Sequence, residues 1–147
     1  MIEIRTEIDI AASPERVWAV LTDFAAHPDW NPFIRSIAGV PKQGERLAVR
    51  IQSQGGKTMS FRPRVLEADP GRELRWLGRV GLPGIFDGEH FFQMQSLAQD
   101  RTRFVHGERF SGVLVPLARK SLEGATKAGF GLMNDALKRR AEATPRA

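Results

Sequence analysis

The sequence predicts an α+β domain built on an antiparallel sheet, and three observations lead there. Residues 2–10, IEIRTEIDI, alternate between Ile2, Ile4, Thr6, Ile8 and Ile10 on one side and Glu3, Arg5, Glu7 and Asp9 on the other. That is the period of a strand with one wet face. The middle of the chain is a series of strand-like runs separated by turn residues, the pattern of linked hairpins. Helical patterns stand before and after this series rather than between its members, which favours an antiparallel sheet with helices packed on it over βαβ units.

The first helix is SPERVWAVLTDF, with Ser13 as N-cap, Pro14 at the first helical position and Val17, Val20, Leu21 and Phe24 as its buried stripe. In HPDWNPFI, residues 27–34, Pro28 and Pro32 limit the chain to a short turn of helix around residues 29–31. Trp30 on this broken segment either plugs one end of the core or helps line an opening. Strands follow in FIRSIAGV and RLAVRIQSQ, then after a Gly55-Gly56 turn in KTMSFRPRVLEA, and after Asp69-Pro70-Gly71-Arg72 in ELRWLGRV. Pro63 cannot donate to a ladder and predicts a bulge or a local edge. Beyond the loop GLPGIF, which carries Ile85 and Phe86 as a mouth or as packing under the helix, come DGEHFFQMQSLA and RTRFVHGERFSG, joined around Gln99-Asp100.

The last pattern is a long helix over about Leu114 to Ala141, roughly 42 Å at 1.5 Å per residue. Its expected stripe is Leu114, Leu117, Ala118, Leu122, Ala125, Gly129, Leu132, Met133, Ala136 and Leu137. Gly124, Ala125, Ala128, Gly129 and Gly131 give its middle little bulk. Two explanations compete: close approach to the sheet, or a roof over space that stays unfilled.

Composition narrows the function classes. The 147 residues suit one domain, with residues 143–147 expected to fray. Zero cysteines exclude disulfides, thiolate nucleophiles and Cys-ligated zinc. The chain lacks an apolar run long enough to span a bilayer and a signal-peptide pattern, so the expected compartment is the cytoplasm, without integral membrane association. The net charge is +5. Lys and Arg are scattered among acidic residues, and the one dense cluster, Lys138-Arg139-Arg140, sits where it offsets a helix dipole. A nucleic-acid partner is therefore not expected. Among His27, His90 and His106 there is no HExxH, no carboxylate pair at metal spacing and no phosphate-cradling glycine loop, so neither metal nor cofactor is expected.

The ordered set SPERVWAVLTDF, HPDWNPFI, ELRW, LPGIFDGEHFF, RTRFVHGERFSG and the terminal GFGLMNDALKRR resembles the START/Bet v 1-like (SRPBCC) superfamily, in its polyketide cyclase/dehydrase-type branch, over nearly the whole chain. The resemblance implies a helix-grip fold: a seven-stranded, curved antiparallel sheet wrapped around the long C-terminal helix, with two short helices after the first strand. It also implies a cavity for a hydrophobic or amphiphilic molecule, with Trp30 near one end. The expected lining is Trp30, Phe33, Trp76, Phe86, His90, Phe92, Phe104, His106, Glu108, Phe110, Ala125, Ala128, Gly129 and Met133. For Trp30 and Trp76, filling of the core is the competing role.

His106, Glu108, Phe104 and Phe110 share one face of their strand. The resemblance turns His90, Phe92 and Met94 inward on the preceding strand. A strict two-residue turn at Gln99-Asp100 would instead align His106 with the Phe91 set, and a bulge would restore the match. A buried ionised Glu108 needs a partner, because a lone buried charge is very costly. The His90, His106 and Glu108 set is then a structural network, an anchor for a ligand's hydroxyl or carbonyl, or a general acid–base group. Three functions follow: a binding or transport module for a small hydrophobic or amphiphilic molecule, a cyclase/dehydratase-like enzyme, or a co-chaperone-like interaction domain with a collapsed interior and an exposed apolar patch. The binding module is the favoured expectation, as a monomer or homodimer.

Overall fold

The computed structural model describes residues 1–53 and 57–143; the expected turn at Gly55-Gly56 and most of the expected frayed tail lie outside them. Strand β1 (Ile2–Ile10) is followed by helix α1 (Pro14–Thr22), a 3-10 turn (Phe24–Ala26) and the short helix α2 (His27–Trp30). Seven further strands come next: β2 (Ile34–Ala38), β3 (Ala48–Gln52), β4 (Thr58–Phe61), β5 (Arg64–Asp69), β6 (Glu73–Val80), β7 (Phe86–Ala98) and β8 (Arg101–Ser111). A continuous helical stretch ends the described chain, made of a 3-10 turn (Val115–Ala118), helix α3 (Arg119–Ser121), a π turn (Leu122–Thr126) and helix α4 (Lys127–Glu142). All the strand pairs are antiparallel, and the architecture is the helix grip expected.

Among the described residues there are eight strands rather than seven, and Pro63 is the reason. The run KTMSFRPRVLEA breaks at Arg62-Pro63 into β4, in a three-stranded sheet ordered β2-β3-β4, and β5, at the edge of a five-stranded sheet ordered β1-β8-β7-β6-β5. Residues 44–47 stitch the two together: Leu47 N donates to the Pro63 carbonyl and Val65 N to the Glu45 carbonyl, at 2.9 and 2.8 Å. Proline lacks the donor but keeps its acceptor, so the break costs the wrap little.

The β7–β8 hairpin settles the alignment the sequence left open. The register shifts between Ser96 and Ala98, so Leu97 is the extra residue of a bulge. Phe92 then faces His106, and His90 faces Glu108. Alternation sends Phe91 to the outer face, where the guanidinium groups of Arg75 and Arg109 lie 5.1 and 5.9 Å from its ring centre.

Helix α1 starts as expected, with the Ser13 hydroxyl accepting from Arg16 N at 3.1 Å. The C-terminal helix departs from a uniform α-helix. Its 3-10 opening and its π turn reset the phase, so Leu114, Leu117 and Leu132 point outward while Val115, Leu122, Phe130, Met133, Asn134 and Leu137 are buried. Gly129 is a close approach: a Cβ there would meet the Phe33 ring at 2.8 Å. Gly124 and Gly131 have open space around them, and nothing in the structure explains their lack of a side chain.

The segment HPDWNPFI is organised by Asn31. Its Oδ1 accepts from Phe33 N and Ile34 N, both at 2.9 Å, which turns the chain into β2. Its Nδ2 must then donate to His27 Nδ1 at 3.1 Å, and His27 Nε2 donates to the Leu21 carbonyl at 2.7 Å. His27 is thus a neutral, 1% exposed link between α1 and β2, with Trp30 packed 4.8 Å from its ring. Replacing Asn31 by Ala orphans two buried amides and the His27 ring nitrogen. Chemical denaturation should show a loss of about 2–4 kcal/mol; a loss under about 1 kcal/mol would remove Asn31 from this role.

Candidate functional site

Between the three-stranded sheet, the inner face of the five-stranded sheet and the C-terminal helix lies a cavity of about 450 Å³. Its walls are mainly apolar: Phe33 and Ile34 from the start of β2, Ile51 and Phe61 from the smaller sheet, Trp76 from β6, and Leu122 from the helix. Exposed Lys57, Met59, Arg79 and Val80 mark its mouth. At its inner end are Gly88, His90 and Glu108, the only acidic side chain among the described residues of its wall.

Neighbouring positions on β7 and β8 bring His90 and Glu108 together, with Nδ1 of His90 3.0 Å from Oε1 of Glu108. Gly88 makes room for this carboxyl group: a Cβ there would collide with Glu108 Oε2. Behind the pair, His90 Nε2 lies 2.7 Å from Nε2 of His106, whose Nδ1 is 2.9 Å from Asn134 Oδ1 on α4. Asn134 Nδ2 donates to Thr6 Oγ1 at 2.8 Å, and Thr6 donates to the main-chain carbonyl of His106 at 2.8 Å.

This chain has one direction because its far end is a carbonyl, which only accepts. The Thr6 hydrogen goes to that carbonyl, so Thr6 must accept from the Asn134 amide, which turns Asn134 Oδ1 toward His106. His106 Nδ1 therefore carries the hydrogen. His106 is fully buried, and burial, reinforced by the adjacent His90, holds its pKa well below the usual 6.5 despite the bond to Asn134. A neutral His106 with hydrogen on Nδ1 offers a lone pair at Nε2, so His90 Nε2 must donate. If His90 is neutral its Nδ1 is a lone pair, and the 3.0 Å contact then needs the proton on Glu108; otherwise an imidazolium faces a carboxylate. In either arrangement the two groups hold one proton between them.

The rings are clamped by aromatics. Phe130 stacks on His106 with ring centres 4.2 Å apart, and Trp76 stacks on His90 at 5.2 Å. Phe33 and Phe92 close the remaining sides of the pair. Of the residues singled out in the sequence, Phe33, Trp76, Phe86, His90, Glu108 and Phe110 lie on the cavity wall. His106, Phe92, Phe104 and Met133 are buried behind it, Gly129 is packed under Phe33, and Trp30 sits against His27. Ala125 lies off the wall and Ala128 faces solvent. The π turn advances the inward position by one, so Thr126 takes the place on the wall that a uniform helix gives Ala125. Sequence reasoning missed Asn134 and Thr6. The signal available was a polar residue inside each apolar stripe: Thr6 among four isoleucines, and Asn134 between Met133 and Leu137.

Fold and site together define a helix-grip cavity domain with an acid–imidazole pair, its histidine buried and its carboxyl group reachable from the cavity, at the inner end of its pocket. The chain belongs to the family described as polyketide cyclase/dehydrase and lipid transport, whose model matches residues 1–142. Among curated proteins none matches it. Similar solved structures include the Zhui aromatase/cyclase of Streptomyces sp. R1128, with a TM-score of 0.79 at 19% identity over 99% of this chain and 96% of that one. A START superfamily protein of Mycobacterium smegmatis gives 0.76 at 21% identity, over 95% and 97% of the two chains. The di-domain ARO/CYC BexL of the BE-7585A biosynthetic pathway gives 0.74 at 15%, with 98% of this chain matching 51% of that one. At these identities the likeness is one of fold. No helix of the described residues is long and apolar enough to cross a membrane.

Two buried histidines impose a pH dependence on stability. The pKa of His27 is lowered by burial, against the pull of its bond to the Leu21 carbonyl, and that of His106 is lowered more strongly. Below pH 6.5 the unfolded chain takes up protons that the folded chain refuses, so stability falls as the pH drops, by up to about 1.4 kcal/mol per pH unit for each histidine. Denaturation at pH 7.5 and 5.5 should show this loss. Equal stability at the two values would place charge on one or both imidazoles.

Proposed function

We propose that the protein binds a small hydrophobic or amphiphilic molecule in this cavity, with Glu108 anchoring its polar group. The observation that carries the reading is the cavity itself: about 450 Å³, within the range of small-molecule sites, with apolar walls and one acid–imidazole pair at the inner end. A tightly packed core has no use for such a volume, because unfilled space forfeits dispersion contacts. A co-chaperone-like interaction domain calls for a collapsed interior, against which the cavity stands, and for an exposed apolar patch, to which Leu82, Val113, Leu114 and Leu117 contribute; it receives less support than binding.

A second reading has its own observation. A carboxyl and an imidazole that share one proton at an accessible position can supply or take up that proton, as cyclisation by carbonyl condensation or loss of water demands. That a protein of this fold is described as an aromatase/cyclase supports the reading without identifying a substrate. On either reading the ligand enters past Lys57 and Arg79, and His106 acts through His90 rather than on the ligand.

Native mass spectrometry of protein purified without detergent, followed by solvent extraction, should reveal a reproducible small molecule at up to one per chain. If none is retained and no two- or three-ring aromatic probe binds, the cavity is not a binding site. Thr126→Phe should reduce probe uptake by about tenfold or more with a stability change within about 1 kcal/mol, because the new ring enters the open cavity rather than a packed core. Ala128→Phe, on the solvent face, should leave uptake as it was; equal effects at both positions would move the pocket elsewhere. For the second reading, Glu108→Gln should lower turnover by about 10²–10⁴-fold while binding persists. Unchanged turnover would leave binding as the sole function.

A further inference from the structure

We infer that the inner end of the cavity selects a ligand group that donates a hydrogen bond, such as a phenolic or alcoholic hydroxyl, and that Asn134 and Thr6 are positioning residues for this selectivity. The inference rests on the cavity being a binding site and adds what chemistry the site accepts.

Glu108 stands at the inner end of the cavity. Its Oε1 is engaged by His90 Nδ1 at 3.0 Å, whereas Oε2 makes no hydrogen bond to any described residue and is not sealed from the cavity. The shared proton has two placements. On His90, it leaves Glu108 a carboxylate, and both oxygens accept. On Glu108, it sits on Oε1, donated to His90, and Oε2 is the carbonyl oxygen, which again accepts. Oε2 is an acceptor in both. A carboxyl group free of this constraint could carry its proton on Oε2 and present a donor to the cavity, so what removes that option is the lone pair on His90 Nδ1 whenever His90 is neutral.

That lone pair is fixed from behind. His90 Nε2 carries hydrogen because His106 Nε2 does not, and His106 Nε2 does not because Asn134 Oδ1 accepts from His106 Nδ1. The amide faces this way because Thr6, donating to the His106 carbonyl, can only accept from Asn134 Nδ2. Reverse the amide and the polarity of every link reverses. His90 Nδ1 would then carry the hydrogen and donate to Oε1, so Oε2 would accept only while Glu108 is ionised, and any proton on Glu108 would sit on Oε2. Neither Asn134 nor Thr6 reaches the cavity, so their influence on the ligand passes through the two imidazoles.

A matched pair of two-ring probes tests this at neutral pH: 2-naphthol, which donates, and 2-methoxynaphthalene, which presents the same rings and oxygen without the hydrogen. The wild-type protein should bind 2-naphthol at least about tenfold more tightly, the worth of a hydrogen bond to a charged or proton-sharing acceptor, and should disfavour 2-naphthoate, which brings a second acceptor. Glu108→Leu should bring the naphthol-to-methoxynaphthalene ratio to about one. Thr6→Val, which keeps the shape and releases the amide, should lower the ratio severalfold in a protein that unfolds at a similar denaturant concentration. Equal binding of the two probes by wild type, or preference for 2-naphthoate, overturns the donor selectivity. A Thr6→Val ratio equal to wild type overturns the positioning role. If none of the three probes binds, the cavity reading itself falls, and the inference with it.

Discussion

Two imidazoles stand edge to edge inside an aromatic shell, with ring nitrogens 2.7 Å apart and almost no solvent contact. Such a pair tolerates one donor and one acceptor at the contact; two lone pairs or two hydrogens facing each other in a low-dielectric interior would each cost what an unpaired buried polar group costs, about 1–3 kcal/mol or more. The rest of the site is arranged to meet that condition. Asn134 comes from α4 and Thr6 from β1, so helix and sheet both contribute to the chain that fixes which nitrogen donates. Glu108 completes it at the cavity end. The network thus ties the gripping helix to the sheet and sets the chemistry of the pocket at once.

The cavity follows from where bulk is withheld and where it is supplied. Gly129 lets Phe33 pack close to the helix, which brings that ring into contact with Phe130 and both histidines. Gly88 leaves room for the Glu108 carboxyl group on the opposite wall. The break at Pro63 separates the smaller sheet from the larger one, and Ile51 and Phe61 of that smaller sheet form the outer wall. On the helix side of the cavity the π turn sets Leu122 and Thr126 on the wall. Departures from regular structure of this sort are common next to functional sites.

Much of this architecture was legible in the sequence because it rests on period and punctuation. Alternating isoleucines gave β1, Ser13-Pro14 gave the start of α1, and Pro63 marked the place where the sheet breaks. His90 and Glu108 could be placed on adjacent strands, but their pairing depended on the bulge at Leu97. A bulge leaves no clear mark in a run such as QSLAQD, where several turns are compatible with the same residues. The helix was harder. Assuming 3.6 residues per turn throughout put Leu132 inside and left Phe130 out, since a π turn is a tertiary accommodation that propensity does not encode. Asn134 and Thr6 were missed for a related reason: each is a lone polar residue on an apolar stripe, and its meaning appears only when elements 128 residues apart meet.

The direction of the hydrogen-bond chain is the claim on which the proton sharing and the ligand chemistry rest, and nitrogen-15 NMR of the imidazole rings at pH 7 reads it directly. His106 should be neutral with hydrogen on Nδ1, and His90 should carry hydrogen on Nε2, coupled across the 2.7 Å contact as donor to acceptor. Hydrogen on Nε2 of His106, or an imidazolium there, would reverse or break the chain and contradict the account.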